Sequence, residues 1–177
     1  MRETCTMIHL AAGGILRARL MPLVTAMGLL VALPTRAQSE RFVRTLPAPT
    51  QSVVTDAATG RMWQGCVAGL SGSNCTGNVT NMTWQAALAY CENLDWGGRT
   101  DWYLPNIKEI RSIGDSREVL PAIDRVAFPN TPGSFSWSSS SRVDDPSRAW
   151  AVNFGSPSID ALGKAGSTVA RCVRLDL

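Results

Sequence analysis

The chain has 177 residues, a length that suits one ordinary domain with a targeting segment in front of it. Hydrophobic residues make up 45% of the sequence and charged residues 18%, which excludes a wholly disordered chain and a collagen-like one. The formal net charge is +3, but four of the 17 basic and one of the 14 acidic residues lie in the first 37 positions, so the remaining chain carries no net charge.

The single histidine, His9, also lies in this first stretch. A chain that loses it has neither a Ser-His-Asp or Cys-His mechanism nor a histidine-ligated zinc site. The composition therefore argues against most hydrolases, and the charge balance argues against binding of nucleic acid.

Residues 1–37 have the features of a secretory signal peptide. Arg17 and Arg19 supply a positive region, residues 20–33 supply an uncharged apolar core, and small residues precede a predicted cut after Ala37. The apolar run is shorter than the ~20 residues that a stable transmembrane anchor needs. An uncleaved N-terminal anchor is the alternative. We expect an exported protein, secreted or periplasmic, with no stable membrane anchor once the leader is removed.

Export changes how the cysteines are interpreted, because an oxidising compartment favours disulfides. Four cysteines follow the leader, namely Cys66, Cys75, Cys91 and Cys172. They predict two disulfides, for which three pairings exist. Zinc bound by four thiolates is the alternative, but the spacings contain no Cys-x-x-Cys pair. We expect no metal and no cofactor.

The first part of the exported chain is predicted to contain little regular structure. Residues 38–52 are polar, contain a Pro-Ala-Pro element and are predicted as a linker or extended arm. Residues 53–55 and 62–64 are predicted as two strands around a turn. Residues 65–80 are rich in Gly, Ser, Asn and Thr and are predicted as a loop.

Two helices are predicted in the middle of the chain. The first covers residues 83–94, where apolar residues recur at helical spacing. A short strand is expected at residues 101–104. The second helix starts with a capping box at Asn106 and runs to about Ile113. Prolines make residues 115–131 irregular.

The last third is predicted as β structure. Apolar and small or polar residues alternate in residues 134–138 and 149–154, with a charged turn at 141–147 between them. Residues 168–175 are predicted as a closing strand. Strands, two helices and again strands define an α+β domain.

Several sequence blocks together resemble the Lcl C-terminal domain family, a bacterial family named for the Legionella collagen-like adhesin. The resemblance spans about residues 53–175. The blocks, in family order, are TGRMWQ (59–64), TWQAALAYCENL (83–94), GGRTDWYLPNIKEI (97–110), AFPNTPGSFSWSSS (127–140), AWAVNFG (149–155) and VARCVR (169–174).

The family is similar to the C-type lectin-like fold, in which two helices flank an antiparallel sheet and a long loop region presents the ligand surface. The resemblance thus implies a disulfide-stapled domain over residues 53–177. Lectin-like folds tie the first helix to the last strand, which implies a Cys91–Cys172 bond and leaves Cys66 to pair with Cys75.

The adhesin member of the family suggests binding of sulfated polysaccharides or surface attachment, and the missing histidine and the structural use expected for every cysteine favour a non-catalytic binding module over an enzyme. Its ligand would be a glycan, a sulfated polysaccharide or a surface protein, bound in adhesion or envelope contacts through the loop region at about 115–165. An oligomer is compatible with the sequence. The residues predicted to contact the ligand are Arg142, Asp144, Asp145, Arg148 and Trp150, although these could also form only a solvated charged turn.

Two other functions are considered. Calcium-dependent sugar binding could use Asp124, Asp144, Asp145 and Asp160, since calcium prefers oxygen ligands, but the Glu-Pro-Asn and Trp-Asn-Asp signatures of calcium lectins are missing. An enzyme related to the formylglycine-generating oxidases would need a reactive cysteine pair, and all four cysteines have structural explanations.

Overall fold

The computed structural model describes residues 41–176, and the predicted leader, residues 1–37, lies outside them. Within the described part, two helices lie between two groups of strands, which confirms the predicted α+β class. In chain order the elements are β1 (Phe42–Ala48), β2 (Gln51–Asp56), β3 (Arg61–Gln64), β4 (Leu70–Ser71), β5 (Thr76–Gly77), α1 (Trp84–Glu92), α2 (Ile107–Ser112), β6 (Phe135–Ser141), β7 (Arg148–Asn153), β8 (Ser158–Gly163) and β9 (Val173–Leu175).

The strands form three antiparallel sheets. The largest has the order β1-β2-β3-β9, so it joins the first strands of the domain to the last one. In this sheet Trp63 of β3 lies opposite Val173 of β9. A second sheet has the order β6-β7-β8, and β4 pairs with β5 in a short hairpin.

Strand β7 separates two hydrophobic clusters, because its side chains alternate between the two faces of the sheet. Ala149 and Ala151 face the first cluster, which includes residues of α1 and the cysteines of both disulfides. Val152 faces the second cluster, which lies under α2. Buried members of the second cluster include Val54, Trp63, Ile110, Ile113, Phe128 and Phe154.

Both predicted helices are confirmed, with slightly shorter bounds. The hydroxyl of Thr83 accepts a hydrogen bond from the amide of Ala86 and caps α1, an interaction usually worth about 1 kcal/mol. Asn106 and Glu109 form the predicted capping box of α2. The helix ends at Ser112, one residue before the predicted end.

Strand β1 lies inside the segment 38–52 that the sequence indicates as a linker or extended arm. It pairs with β2 at the edge of the large sheet, where the proline in its second half is tolerated. Arg41, the residue before β1, donates two hydrogen bonds to the carboxylate of Asp56, at 3.0 and 2.8 Å, and so holds the first residues of the strand against β2. The pKa of the buried Asp56 carboxyl is lowered, because these bonds and one from Thr59 outweigh the effect of burial.

Two predicted strands are wrong in extent. Residues 101–104 form no strand, and only Tyr103 pairs there, in a single bridge with Val173. The closing strand begins at Val173 rather than at residue 168. The backbone of residues 168–172 instead bonds to several different segments. Thr168 exchanges backbone hydrogen bonds with Met82, and the carbonyl oxygen of Cys172 accepts from the amide of Gln64. Strand β8 was not predicted, because its exposed first half has a weak apolar pattern.

Arg171 is a fully buried charged residue near the end of the chain. Its Nη1 donates to the carbonyl oxygens of Gln64 and Gly65, both at 2.8 Å, and its Nη2 donates to the hydroxyl of Thr131 at 2.7 Å. The guanidinium also lies 4.7 Å from the ring centroid of Phe128. Burial lowers its pKa to about 9, so the side chain remains charged at neutral pH.

The disulfide pairing implied by the family resemblance is confirmed. Cys66 is bonded to Cys75 and Cys91 to Cys172, with Cα atoms 5.2 and 5.5 Å apart. Two disulfides fit an extracellular or periplasmic protein. Among residues 41–176 we find no helix whose length and hydropathy would let it cross a membrane.

Removing the Cys91–Cys172 disulfide is expected to destabilise the protein more than removing Cys66–Cys75. The two bonds span 81 and 9 residues of sequence. A chain-entropy estimate gives losses in the free energy of unfolding of about 4.5 and about 2.7 kcal/mol for the Cys→Ala double variants. Chemical denaturation measures both losses. Equal losses, or the reverse order, would contradict this ranking.

Candidate functional site

Three of the predicted site residues bond to neighbours in the turn between β6 and β7. Arg142 donates to both carboxylate oxygens of Asp144, at 2.6 and 2.7 Å. Asp145 accepts from the amide and the hydroxyl of Ser147. These hydrogen bonds, from Arg142 and from Ser147, lower the pKa of the Asp144 and Asp145 carboxyls respectively. A ligand at this turn would have to displace existing partners.

The other two predicted residues, Arg148 and Trp150, lie in β7. They are two positions apart, so both face the side of the sheet on which α2 packs. The half-buried Trp150 lines a shallow cavity of about 230 Å³ together with Ile107, Lys108, Arg111 and Ile159. The structure thus brings Trp150 to α2, away from the turn carboxylates.

A larger cavity of about 540 Å³ continues from the first one, since Arg111 and Ile159 line both. Its apolar floor includes Val152 and Phe154, and its polar lining includes Asn153. We call the two connected cavities the α2 groove. Its other lining residues are Gly114, Asp115, Ser116, Ala122, Pro157 and Ser158.

The α2 groove has cations that are not neutralised by carboxylates. Lys108 and Arg111 are exposed and three positions apart in α2, so they lie on one face of the helix. Among residues 41–176, no carboxylate lies within ion-pair distance of either cation. Asp115, which lines the larger cavity, bonds instead to Arg117 at 2.8 Å. The groove therefore combines an indole, an apolar floor and positive charge.

The position of α2 depends on the buried carboxylate of Glu109. One of its oxygens accepts from Arg61 Nε and Nη2 at 3.2 and 3.1 Å and from the Tyr103 hydroxyl at 3.1 Å. The other accepts from the amide of Asn106 at 2.8 Å. On the other side, Ser140 accepts from the first amide of α2. These bonds tie the helix to β3 and β6.

A third cavity, of about 590 Å³, lies beside β1 and shares Gly114 and Asp115 with the α2 groove. Its arginines already have partners, since Arg41 bonds to Asp56 and Arg117 to Asp115. Arg44 bonds to backbone carbonyls and to a hydroxyl. The α2 groove is therefore the better candidate for binding an anion.

Metal binding was also considered. In the described residues, no three or more His, Cys, Asp or Glu side chains come together as a metal site would require. Asp124, one of the carboxylates considered for calcium, accepts from the amides of Val126 and Ala127 at the third cavity. Asp144 and Asp145 lie in the β6–β7 turn instead, and both are hydrogen-bonded there.

The sequence analysis missed Lys108, Arg111, Asn153 and Ile159 as candidate site residues. A signal existed for two of them, because cations at positions i and i+3 of a predicted amphipathic helix share its polar face. No comparable signal existed for Asn153 and Ile159, whose place in the groove depends on the pairing of β7 with β8.

Fold and site together define a small, disulfide-stapled α+β domain with an amphipathic basic groove. A family model described as the Lcl C-terminal domain matches residues 52–174. The match covers more than half of the chain, and the chain belongs to the Lcl C-terminal domain family. A comparison with curated proteins found no match.

Replacing Arg117 is expected to raise the pKa of Asp115. The hydrogen bonds from the side chain and the amide of Arg117 hold this pKa at about 2, below the ordinary value of 3.8. In Arg117→Gln the amide bond remains, so the pKa should rise toward 3.8 without reaching it. The stability that the pair contributes is present above pH ~4 and is lost as the pH falls toward 2.

An NMR titration of the Asp115 carboxyl carbon measures this change, with Arg142→Gln as a control that leaves Asp115 untouched. An unchanged pKa in Arg117→Gln would contradict the assigned cause.

Proposed function

We propose that this chain is an exported, non-catalytic module that binds a glycan carrying carboxylate or sulfate groups, and that the ligand lies in the α2 groove. The observation that carries this proposal is the position of Trp150 beside Lys108 and Arg111, two cations that form no ion pair among the described residues.

The chemistry of the groove suits such a ligand. The guanidinium of Arg111 can bond a carboxylate or sulfate through two parallel N–H donors. The indole of Trp150 offers a rigid apolar surface with one polar group, which suits the mixed surface of a sugar ring. A mostly apolar concavity with few polar groups is typical of ligand sites. Recognition would come from this local arrangement, since residues 38–177 carry no net charge.

The C-type lectin-like fold is part of the proposal. Its support is the sheet that joins β2 and β3 to β9, together with two helices and the Cys91–Cys172 bond from α1 to the residue before β9. The irregular segment between α2 and β6, residues 113–134, occupies the place of the long loop region. One end of this segment, Gly114 to Ser116, lines the α2 groove.

A binding role is favoured over catalysis by the residues available. Residues 38–177 contain no histidine, and their four cysteines form disulfides. The predicted leader and the disulfides support an extracellular or periplasmic location. The partner would then be a surface glycan met in adhesion or envelope contacts.

Arg111→Gln is expected to weaken binding of a sulfated or uronate-containing oligosaccharide by about 10- to 100-fold, because a hydrogen bond to a charged group contributes about 1.5–3 kcal/mol. Trp150→Ala should also weaken binding. A glycan array finds the ligand, and titration calorimetry with the best oligosaccharide measures the affinities.

Arg142→Gln is the matched control, since this arginine lies in the β6–β7 turn and is already paired with Asp144. It should leave the affinity unchanged. If Arg142→Gln weakens binding while Arg111→Gln does not, the ligand binds the turn and the α2 groove is excluded.

Binding is expected to be independent of calcium. Both carboxylate oxygens of Asp144 accept from the Arg142 guanidinium, and Oδ1 of Asp145 accepts from Ser147, so a calcium ion at this turn would have to displace existing partners. The affinity for the same oligosaccharide should be equal in buffers containing calcium and containing a chelator. Loss of binding in the chelator, with recovery on adding calcium, would favour the calcium-lectin alternative.

A further inference from the structure

The two disulfides lie in different surroundings. Cys91 and Cys172 are fully buried in the first hydrophobic cluster. Within the described residues, no side-chain donor lies within hydrogen-bond distance of either of their sulfurs. Cys66 and Cys75 belong to the same cluster and are equally buried, but polar groups contact both of their sulfurs. The chain therefore carries one apolar and one polar disulfide.

The polar groups at Cys66–Cys75 come from β1 and β2. Arg44 Nη2 lies 3.4 Å from Sγ of Cys75 and 3.9 Å from Sγ of Cys66. The hydroxyl of Ser52 lies 3.4 Å from Sγ of Cys66. The remaining contacts of the Arg44 guanidinium are with Ser52 and with the carbonyl oxygens of Gly72 and Ser73. A positive charge thus lies directly against the disulfide.

This charge has no carboxylate partner among residues 41–176, and Nε of Arg44 is buried without a hydrogen bond. A second guanidinium, that of Arg171, lies nearby and donates to the carbonyl of Gly65, the residue before Cys66. It also has no carboxylate partner. A thiolate at Cys75 would supply the anion that this part of the structure lacks, because neighbouring arginines stabilise thiolates.

The surroundings also suit the thiol form of the other cysteine. Sγ of Cys66 lies 3.5 Å from the carbonyl oxygen of Gly72 and Sγ of Cys75 lies 3.5 Å from that of Gly65, so either cysteine has an acceptor for a thiol. Arg44 lies closer to Sγ of Cys75 and therefore favours the thiolate at that cysteine. Reduction of this pair would place one thiolate beside a cation and one thiol beside an acceptor. Reduction of Cys91–Cys172 would leave two sulfurs in an apolar cluster.

We propose that Cys66–Cys75 is a redox-active pair that exchanges reversibly with a dithiol reductant, while Cys91–Cys172 stays oxidised. Because both sulfurs are buried, the exchange begins with a local opening of the loop closed by the disulfide, which exposes Sγ of Cys66. A thiolate of the reductant then attacks this sulfur, the S–S bond breaks, and Cys75 leaves as a thiolate beside Arg44. The second thiol of the reductant, as its thiolate, then attacks the mixed disulfide and releases Cys66. Two electrons pass to the cysteine pair, the reductant becomes a disulfide, and Cys66 takes up a proton.

The effect of this exchange would be local. Arg44 and Asn130 bond to carbonyl oxygens of residues 72–74, so the loop closed by the disulfide is attached to β1 and to the irregular segment before β6. Opening the ring frees this loop to change those attachments. Cys91–Cys172 continues to hold α1 against the C-terminal segment. The inference is independent of the proposed glycan binding.

Equilibration of the full chain in buffers with an increasing ratio of reduced to oxidised dithiothreitol, a dithiol, tests the proposal. The mixtures are approached from the oxidised and the reduced protein, quenched with acid and alkylated, and the free thiol at each cysteine is measured by peptide mass spectrometry. Cys5, outside the described residues, is measured separately. Cys66–Cys75 should be half-reduced at a ratio of reduced to oxidised reductant that is at least tenfold lower than the ratio at which Cys91–Cys172 is half-reduced. Equal midpoints, or earlier reduction of Cys91–Cys172, would overturn the proposal.

The variant Arg44→Gln tests the cause, because glutamine can still donate to the loop carbonyls but carries no charge. The ratio of reduced to oxidised reductant at which Cys66–Cys75 is half-reduced should then be about tenfold higher, which is equivalent to a reduction potential lower by about 30 mV. Arg142→Gln is the control and should leave the midpoint unchanged. If Arg44→Gln does not fold, Ser52→Ala should shift the midpoint in the same direction. Midpoints equal to that of the unmodified chain in these variants would refute the role of the polar surroundings.

Discussion

The extended C-terminal segment, residues 168–175, bonds to several parts of the described chain that are far apart in sequence. Its backbone pairs in turn with the segment before α1, with β6, with the loop after β3, with Tyr103 in the segment between the helices and with β3 itself. The buried guanidinium of Arg171 adds bonds to Gln64, Gly65 and Thr131. Because isolated backbone groups are costly to bury, the packing of these elements depends on the hydrogen bonds that this segment supplies.

The α2 groove depends on the same segment through β3. Helix α2 has six residues, fewer than a helix needs for stability of its own in water. Its position therefore comes from contacts outside the helix, above all from Glu109, whose carboxylate accepts from Arg61 of β3 and from Tyr103, which itself bridges to Val173. The cations of the groove are exposed, but a buried ion pair fixes the helix that presents them.

The features that could be predicted from sequence are those whose cause is local. The capping box at Asn106 and the alternating pattern of β6 and β7 each depend on neighbours within a few residues, and both are present. The cysteine count predicted two disulfides, but their pairing needed the family resemblance. Strands β1 and β8 have weak patterns of their own, and they form because β2 and β7 offer edges that pair with them. The groove was missed for the same reason, since it exists only where α2 meets β7 and β8.

Residues 38–177 contain eleven arginines and two lysines. Some of these arginines pair with carboxylates and others do not, so regions of positive charge exist although the net charge is zero. Four arginines make two-point contacts with an aspartate, namely Arg41, Arg117, Arg142 and Arg174. Two others, Arg61 and Arg125, pair with a glutamate. Such planar two-point pairs neutralise charge locally and fix loops.

Among residues 41–176, five arginines have no carboxylate partner, namely Arg44, Arg99, Arg111, Arg148 and Arg171. Two of these lie close to the Cys66–Cys75 ring, one lines the α2 groove, and Arg148 lies on the sheet face that carries Trp150. Six of the eleven guanidinium groups are paired, and four of the five others lie at the Cys66–Cys75 ring, in the α2 groove or on the face that carries Trp150, where an added anion would find a partner. A chain with no net charge can therefore still offer anion sites, because an incoming ligand interacts with the local excess of positive charge and not with the net charge of the chain.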